Sequence, residues 1–277
     1  MRAALAEHGL RPSRALGQNF LADPNTARRI ARLADVGRGD HVLEIGPGLG
    51  SLTLALAETG ADVLALELDR HLAPVLRDVI ADADRVSIEV GDALAVDLEQ
   101  LVRDHADGPW QCVANLPYNV AAPVVVRLLE EAPTIEHILV MVQREVAERI
   151  AAAPGTPAYG ALSVKVAYYA EADIAGLVPA TVFLPKPKVE SALVRLARRA
   201  APPVAVPDPA RLFALVRAGF GQRRKMLRRS LRAALGDRVE TVLRAAGVDP
   251  AARAESLGLE QWAAVANAAS TETEGPA

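Results

Sequence analysis

The sequence predicts an α/β fold, in which an open, mostly parallel sheet carries helices on both faces and is followed by a small C-terminal all-α domain. Three observations support this prediction. Short apolar runs alternate with segments of helical periodicity over residues 41–152, turn residues separate them, and a proline-rich stretch at 201–209 precedes a region with helical periodicity alone. We therefore expect two domains, at residues 1–200 and 201–277.

The predicted elements follow in chain order. Asp23 followed by Pro24 indicates a helix N-cap with proline at the first helical position. The apolar runs predict strands at 41–46, 62–66, 85–90, 110–114 and 135–142, with an antiparallel pair at 172–178 and 191–197. Helical periodicity predicts helices at 24–34, 51–58, 70–80, 121–131, 143–152 and 161–169, and in the second domain at 210–219, 222–235, 238–246 and 259–268.

Composition excludes several classes of protein. The chain of 277 residues is 51% hydrophobic, which suffices for a full core, and it has no apolar run near the ~18 residues of a membrane span. The N-terminal segment has no apolar stretch followed by a small-residue cleavage site, so we expect a cytoplasmic protein. The single cysteine, Cys112, lies in a predicted strand without cysteine or histidine at ligand spacing, so we expect a core thiol, no disulfide and no metal.

The net charge of −3 conceals an uneven distribution of charge. Residues 183–232 contain 13 lysines and arginines but only two acidic residues, Glu190 and Asp208, whereas the rest of the chain is acidic. A basic region of this kind favours binding to a polyanion such as a nucleic acid.

Three consecutive predicted strands each end in an acid next to a turn. Glu44 precedes the turn Gly46-Pro47-Gly48-Leu49-Gly50, Glu67 follows the second strand, and Asp92, beside Ala93, follows the third. The glycines, Gly46 and Gly48 among them, let the backbone approach a ligand, and an acid about 20 residues further on is placed to bind ribose hydroxyls. We assign that role to Glu67. Asp92 can accept a hydrogen bond from an adenine amino group, and Glu44, which attracts an ammonium group but repels a pyrophosphate, argues against NAD.

The stretch Asn115-Leu116-Pro117-Tyr118 follows the fourth predicted strand. The Asn115 side-chain oxygen and the Leu116 carbonyl can accept the two hydrogens of a flat, weakly basic amine such as the exocyclic nitrogen of adenine. Pro117 makes the turn rigid, and the Tyr118 ring can stack on the base. An ordinary Asn-x-Pro turn at the end of a strand is the alternative.

The segment before the first helix contains another candidate. Asn19 is an amide beside Phe20 and Leu21, and an amide in such a setting can line a ligand pocket. The alternative for the two apolar side chains is that they fill the core.

The loop 183–191 holds candidates for binding the substrate. Phe183 can form a second wall of a base pocket, facing Tyr118, and Lys186 and Lys188 can meet phosphates. The alternative is that Phe183 belongs to the core and that the lysines are merely solvated.

The run from Arg223 to Arg232 is dense in positive charge. On a helix its spacing places Met226, Leu227 and Leu231 inward and the arginines outward, where they can contact phosphates; a solvated face is the alternative. The candidate RNA contacts of this run are Arg223, Arg224, Lys225, Arg228 and Arg229.

Six segments form an ordered series within residues 13–235. They are LGQNFL at 16–21, EIGPGLGSLT at 44–53, ELD at 67–69, GDA at 91–93, NLPYN at 115–119 and FLPKPKVES at 183–191. The series resembles the motifs of the small-subunit ribosomal RNA adenine dimethyltransferases, the KsgA or RsmA type. One departure is minor, since Ala114 stands where many relatives have the similarly small glycine.

The resemblance implies a Rossmann-like, class I methyltransferase sheet that binds S-adenosyl-L-methionine. It implies transfer of four methyl groups to N6 of two adjacent adenosines in a hairpin near the 3′ end of 16S rRNA, and so structured a target favours an immature 30S subunit as partner. We expect a monomer that needs no metal and no membrane. The residues to which the resemblance gives cofactor contacts are Asn19, Leu21, Gly46, Glu67, Asp92 and Asn115, to which we add Gly48 and Ala93. The candidate catalytic residues are Asn115, Leu116, Pro117, Tyr118 and Phe183.

Three other functions are alternatives to this one. A large-subunit rRNA adenine methylase of the antibiotic-resistance type would share the cofactor motifs, but we expect it to lack the context of Asn119 and the basic run after Gly221. A binding protein that kept this fold and lost catalysis would have no need of an intact Asn115, Tyr118 and glycine turn. A dinucleotide oxidoreductase would need a hydride-handling site, and no candidate histidine or lysine lies near the predicted strand ends.

Overall fold

The computed structural model describes residues 18–271, so that Leu16 and Gly17 of the first motif lie outside the described residues. The described chain forms two compact units. The first contains the residues up to Ala147 together with Ala172–Arg198, and the second contains Glu148–Glu171 and the residues from Arg199 onward.

The division differs from the predicted one at residues 148–171. The second unit takes up the chain at Arg199, close to the predicted boundary at 200, but the assignment of segment 148–171 to the first domain is wrong. Apolar packing is the reason, because Tyr159, Val164 and Tyr168 are buried in one cluster with side chains of the second unit such as Phe213.

The first unit is built on a seven-stranded sheet with the order β4-β3-β2-β5-β6-β9-β7. The strands of the structure are β1 (Phe20–Leu21), β2 (His41–Ile45), β3 (Asp62–Glu67), β4 (Val86–Val90), β5 (Trp110–Asn115), β6 (Ile135–Gln143), β7 (Ala170–Val178), β8 (Phe183–Leu184) and β9 (Ser191–Arg198). The five strands from β4 to β6 in this order pair in parallel, and β9 pairs antiparallel with β6. The predicted parallel sheet, with two further strands at one edge, is confirmed.

Helices connect these strands. Those formed before β7 are α1 (Pro24–Ala34), α2 (Ser51–Ala57), α3 (Leu72–Val79), α4 (Leu98–His105), α5 (Ala121–Glu131), α6 (Arg144–Ile150) and α7 (Ala161–Tyr169). The predicted cap of α1 is confirmed, since the Asp23 carboxylate accepts a 2.9 Å hydrogen bond from the Thr26 N–H. α3 begins two residues later than predicted because the Asp69 side chain accepts from the His71 N–H and holds the chain in a turn first.

A small second sheet was not predicted. β1 and β8 pair antiparallel, Phe20 with Leu184 and Leu21 with Phe183. Strands of two residues carry no alternation that a sequence could reveal, so this long-range pairing becomes visible only in the fold.

The second unit is helical, as predicted. Its helices after α7 are α8 (Pro209–Gly221), α9 (Leu227–Ser230), α10 (Arg232–Leu235), α11 (Val239–Ala245) and α12 (Leu259–Thr271). The continuous helix predicted at 222–235 is wrong, because the chain turns after Gly221. The N–H groups of Leu227 and Arg228 donate to the carbonyls of Ala252 and Pro250 in place of intrahelical partners.

The sheet order determines where a ligand can bind. β2 pairs with β3 on one side and with β5 on the other, so the direction of winding reverses between β2 and β5. In open parallel sheets, ligands bind at the carboxyl ends of the strands beside this reversal. Within the described residues, no helix is both long and apolar enough to span a bilayer.

Candidate active site

A cleft opens at the carboxyl ends of the central strands. It encloses about 1100 Å³, its opening to solvent included, which suits a ligand of nucleoside size. Eleven of the residues predicted from the sequence line it, namely Asn19, Leu21, Glu44, Gly46, Glu67, Asp92, Ala93, Asn115, Leu116, Pro117 and Tyr118. The structure therefore brings the first five motifs of the sequence to one place.

The glycine turn after β2 forms one wall of the cleft. Gly46 has a φ of +71°, and a Cβ atom there would lie 3.5 Å from the Pro117 ring, so the turn packs directly against the Asn115–Tyr118 stretch. Gly48 has a φ of +57°, and a Cβ atom would lie only 2.8 Å from the Phe20 ring. Gly48 is not among the residues lining the cleft. It contributes to the site through its backbone N–H, which donates to the Glu67 carboxylate.

Glu67 ends β3 with its carboxylate oriented by the backbone. One oxygen accepts from the Gly48 N–H at 3.0 Å and the other from the Asp69 N–H at 2.8 Å. Burial raises the pKa of Glu67, and these backbone hydrogen bonds oppose that rise by favouring the ionised form. Each oxygen keeps a further lone pair, with which the carboxylate can accept from the two hydroxyls of a ribose.

Glu44 is a buried carboxyl group in the cleft wall, with 1% of its surface exposed. Its Oε2 atom has no hydrogen-bond partner in the described part of the chain. Burial raises the pKa of Glu44 to about 8, an effect that the Thr53 hydroxyl reduces and the charge of Glu67 increases. A buried carboxyl with an unused oxygen is suited to meeting a cationic group of a ligand.

Asp92 and Ala93 line the end of the cleft beside β4. The Asp92 Oδ1 atom accepts from the Leu94 N–H at 2.8 Å, and the Asp92 carbonyl accepts from the N–H groups of Ala95 and Val96. The side chain and the carbonyl of Asp92 thus both stabilise this turn. The carboxylate is exposed and can still accept a further hydrogen bond from an amino group.

Asn115 ends β5 with a defined side-chain orientation. Its Nδ2 atom donates to the Asn19 carbonyl at 3.1 Å. Because a carbonyl oxygen can only accept, the amide nitrogen must face Asn19, and Oδ1 faces the other way. Leu116, which is 1% exposed, is anchored to β6 by its N–H on the Met141 carbonyl at 3.1 Å. The strand, the N-terminal segment and the proline ring together hold this turn rigid.

Tyr118 is half-buried in the cleft wall, and its hydroxyl lies 2.7 Å from the Ser191 Oγ atom. Ser191 is fully buried. Burial raises the pKa of Tyr118, and the hydrogen bond with Ser191 opposes the rise, so the phenol is neutral at physiological pH. The hydroxyl therefore holds the ring in place, which leaves the ring face for stacking.

Phe183 does not occupy the place predicted for it. It pairs with Leu21 between β8 and β1, and its ring is buried in a core cluster with Leu21 and Ile30 instead of lining the cleft. The prediction of a second aromatic wall is wrong for this structure, and the alternative of core packing holds. Lys186 and Lys188 follow on an exposed loop and likewise do not line the cleft.

The predicted basic residues of the second unit divide into two groups. Arg223 donates to the carbonyls of Pro157 and Tyr159 at 3.0 and 3.1 Å and lies near Glu255, so its main role is to hold the loop before α7. No side-chain hydrogen bond or ion pair to another described residue holds the remaining four, which are Arg224, Lys225, Arg228 and Arg229. Leu227 and Leu231 are buried beneath them as predicted, but Met226 is only half-buried.

Sequence reasoning missed some residues of the cleft. Gln18 lines it and donates to the Asp69 carboxylate at 3.2 Å. Leu68 and Leu94 line it with 51% and 37% of their surfaces exposed, which is suited to contact with a flat ring. The sequence held a sign of both, since Leu68 directly follows Glu67 and Leu94 follows Asp92 by two residues, and both acids were already site candidates.

The strand order, the glycine turn and the acids at the strand ends define the first unit as a class I S-adenosylmethionine-dependent methyltransferase domain. The side chains present fit this cofactor, with Glu44 for an ammonium group, Glu67 for a ribose and Asp92 for an adenine amino group. Among residues 18–271 no cluster of three or more histidine, cysteine or acidic side chains could hold a metal ion.

Comparison with known proteins shows to which family of methyltransferases the chain belongs. Residues 10–271 match the ribosomal RNA adenine dimethylase family, to which the chain therefore belongs. A ribosomal RNA small subunit methyltransferase A from Thermobifida fusca is 48% identical over 273 residues, 96% of this chain and 93% of the relative. Its counterpart from Phenylobacterium zucineum is 48% identical over 280 residues, which cover 100% of this chain and 95% of the relative. The predicted S-adenosylmethionine cofactor and rRNA adenine dimethyltransferase activity are confirmed.

Solved structures confirm the predicted fold. The 23S rRNA methyltransferase ErmE is 31% identical, with a TM-score of 0.67 over 91% of this chain and 100% of that one. A dimethyladenosine transferase from Plasmodium falciparum has a TM-score of 0.71 over 89% of this chain and 95% of that one. At 21% identity, this second likeness shows the shared fold alone.

Proposed function

We propose that this enzyme converts two adjacent adenosines, in a hairpin near the 3′ end of 16S rRNA, to N6,N6-dimethyladenosine. The 48% identity to two ribosomal RNA small subunit methyltransferases supports the small subunit as target. The assignment of the reacting residues rests on one observation. The Asn115–Tyr118 turn packs against Gly46 and lines the same cleft as the three acids Glu44, Glu67 and Asp92. An adenine held by this turn lies next to the cofactor residues.

The cofactor residues define an orientation along the cleft. We assign Glu67 to the ribose hydroxyls, Asp92 with Ala93 to the adenine, and Glu44 to the ammonium group, with Asn19 and Leu21 covering the cleft from β1 and the residue before it. S-adenosylmethionine, when bound, supplies a methyl group activated by its sulfonium leaving group. This order places the methionine end beside Gly46 and Asn115.

The turn after β5 orients the attacking amine. The Asn115 Oδ1 atom and the Leu116 carbonyl accept the two N6 hydrogens, which draws the nitrogen toward tetrahedral geometry and directs its lone pair to the methyl carbon. Tyr118 stacks on the base after it has left its own stack, a step that is least costly in an unpaired loop. The released proton passes to water, because the Tyr118 phenol is neutral and engaged with Ser191.

The partner and setting belong to the same proposal. We propose an immature 30S subunit as the substrate, contacted by the exposed side chains of Arg224, Lys225 and Arg229, the half-buried Arg228, and the exposed Lys186 and Lys188. The enzyme acts as a cytoplasmic monomer without a metal. The likeness to ErmE, at 31% identity, keeps 23S rRNA as the second candidate target.

Mass spectrometry of rRNA nucleosides tests the target directly. The purified enzyme is incubated with methyl-labelled S-adenosylmethionine and, in parallel, with unmethylated 30S subunits, bare 16S rRNA and bare 23S rRNA. We expect labelled N6,N6-dimethyladenosine from the 30S reaction, at two neighbouring positions. Label found only in 23S rRNA would show that the target is the large subunit. The Asn115→Ala enzyme is the control for contaminating methyltransferase activity.

A further inference from the structure

The turn that carries Asp92 is held from outside the cleft by one arginine. Arg127 lies on α5, three residues after Val124, which lines the cleft, and only 19% of its side chain is exposed. Its Nη1 atom donates to the Ala93 carbonyl at 2.8 Å and its Nη2 atom to the Val96 carbonyl at 3.0 Å. The planar guanidinium thus joins the two ends of the turn that follows Asp92.

The arginine is itself held in position. Its Nε atom donates to the Glu131 carboxylate at 2.7 Å, one helical turn further along α5. Glu131 is about half exposed, so this ion pair orients the guanidinium without being part of the cleft. Nη1 donates to the Ala93 carbonyl and Nε to Glu131, whereas Nη2 donates both to the Val96 carbonyl and to Glu131. A substitution of Glu131 can therefore remove the ion pair and leave the carbonyl bonds in place.

The location of the carbonyls distinguishes Arg127 from a residue that only stabilises a helix. Arg198 also donates to several carbonyls, but those of Leu128, Leu129 and Ala132 belong to the last turn of α5 and its end, where unpaired carbonyls need a partner. The carbonyls bound by Arg127 belong to residues 93 and 96, in the segment that positions Asp92. Asp92 has no other side-chain anchor than its own bond to the Leu94 N–H within the described residues.

We propose that Arg127 is a positioning residue for adenine recognition. By clamping the 93–96 backbone it keeps the Asp92 carboxylate aimed at the amino group of the cofactor adenine. This inference rests on the role given to Asp92 in the proposed function. α5 begins just after the Asn115–Tyr118 turn, so one helix supports both the substrate side and the adenine side of the cleft.

The test compares two ligands that differ at the adenine amino group. Binding of S-adenosylhomocysteine and of S-inosylhomocysteine, which has an oxygen in place of that amino group, is measured by isothermal titration for the wild type, Arg127→Gln and Glu131→Gln. We expect the wild type to prefer the adenosyl ligand at least about tenfold, because the inosyl ligand leaves Asp92 without a donor. In Arg127→Gln we expect that preference to shrink to about threefold or less, through weaker adenosyl binding.

The controls keep folding and recognition apart. Glu131→Gln removes the ion pair but leaves the carbonyl bonds, so its preference should stay within about twofold of the wild type. Arg127→Lys keeps the charge but cannot bridge two carbonyls with a planar group, so it should behave like Arg127→Gln while remaining folded. Asp92→Ala should lose the preference, and adding Arg127→Gln should lower it no further.

The outcomes are separable. An unchanged preference in Arg127→Gln and Arg127→Lys, or an equal loss of both ligands, would overturn the positioning role and leave the proposed function intact. A wild type without preference would overturn the role of Asp92 and with it that of Arg127. Failure of wild-type 30S methylation, in contrast, would count against the proposed function alone.

Discussion

Glu44 shows how burial changes the chemistry of a single residue. The folded-state pKa of about 8 lies above the ordinary carboxyl value of 4.5, so between these values the folded protein keeps a proton that the unfolded chain has released. The stability that this proton provides is fully present below about pH 4.5 and is lost as the pH rises toward 8, by at most about 1.4 kcal/mol per pH unit.

Substitution of Glu44 tests this linkage. Glu44→Gln should flatten the fall in the free energy of unfolding between pH 5 and pH 8, because the amide does not titrate. Urea titrations at four pH values measure it. A wild type and a variant with parallel pH profiles would show that Glu44 is ionised in the folded protein throughout this range.

Asn115 is the residue on which the chemical step depends. Asn115→Ala removes the acceptor aimed at the substrate amine and should lower the single-turnover rate of methyl transfer by about 100-fold or more, with RNA affinity within a few-fold of the wild type. Rapid-quench transfer and filter binding measure the two quantities. A rate within about threefold of the wild type would rule out this role for the side chain.

At the scale of single residues, prediction from sequence succeeded where a backbone motif determines the position. Asn115 and Glu67 end strands, Asp92 lies two residues after one, and parallel strands bring their ends to one edge of the sheet. Phe183 could not be placed, because its burial depends on a strand pairing with Leu21 that is 162 residues away in sequence.

Among the elements, α5 and α7 begin and end where they are predicted. Buried side chains recur along α5 on the helical period, whereas in α7 they lie on several sides of the helix. The segment 222–226 departs from the same pattern. There the carbonyls of Pro250 and Ala252 compete for the first N–H groups of α9, a tertiary partner that local periodicity cannot reveal.

The glycine turn and β1 are in contact through Gly48 and Phe20, and a substitution at Gly48 tests whether this contact matters for cofactor binding. Gly48→Ala places a methyl group 2.8 Å from the Phe20 ring at a left-handed φ, so it should displace β1 and the Glu67 carboxylate. We expect the KM for S-adenosylmethionine to rise about tenfold.

Gly39→Ala is the matched control for that substitution. Gly39 also has a positive φ, of +95°, but nothing lies within 4 Å of a Cβ atom there. It should lower the melting temperature without changing this KM. Equal KM values for the two variants would show that the contact between Gly48 and Phe20 is unimportant for the cofactor.

For the whole molecule, the charge distribution predicts an RNA surface in the second unit. Arg224→Ala combined with Arg228→Ala should reduce the slope of log affinity against log salt by about two, because each side chain neutralises about one phosphate. Filter binding to 30S-derived RNA over a salt series measures it.

Arg85→Ala with Arg103→Ala controls for net charge. These side chains are exposed and paired with Asp62 and Glu99 in the first unit, and neither belongs to the basic run at 223–232. The double variant should leave the salt slope unchanged. If both double variants change the slope equally, net charge and not a local surface would govern RNA binding.

A crystal structure with S-adenosylhomocysteine tests most directly the central claim, that one cleft joins the cofactor residues to the Asn115–Tyr118 turn. We expect the ribose hydroxyls within about 3.2 Å of the Glu67 carboxylate, the adenine at Asp92 and the sulfur beside Gly46 and Asn115. Density for the ligand in the reverse orientation, or outside the cleft, would contradict it.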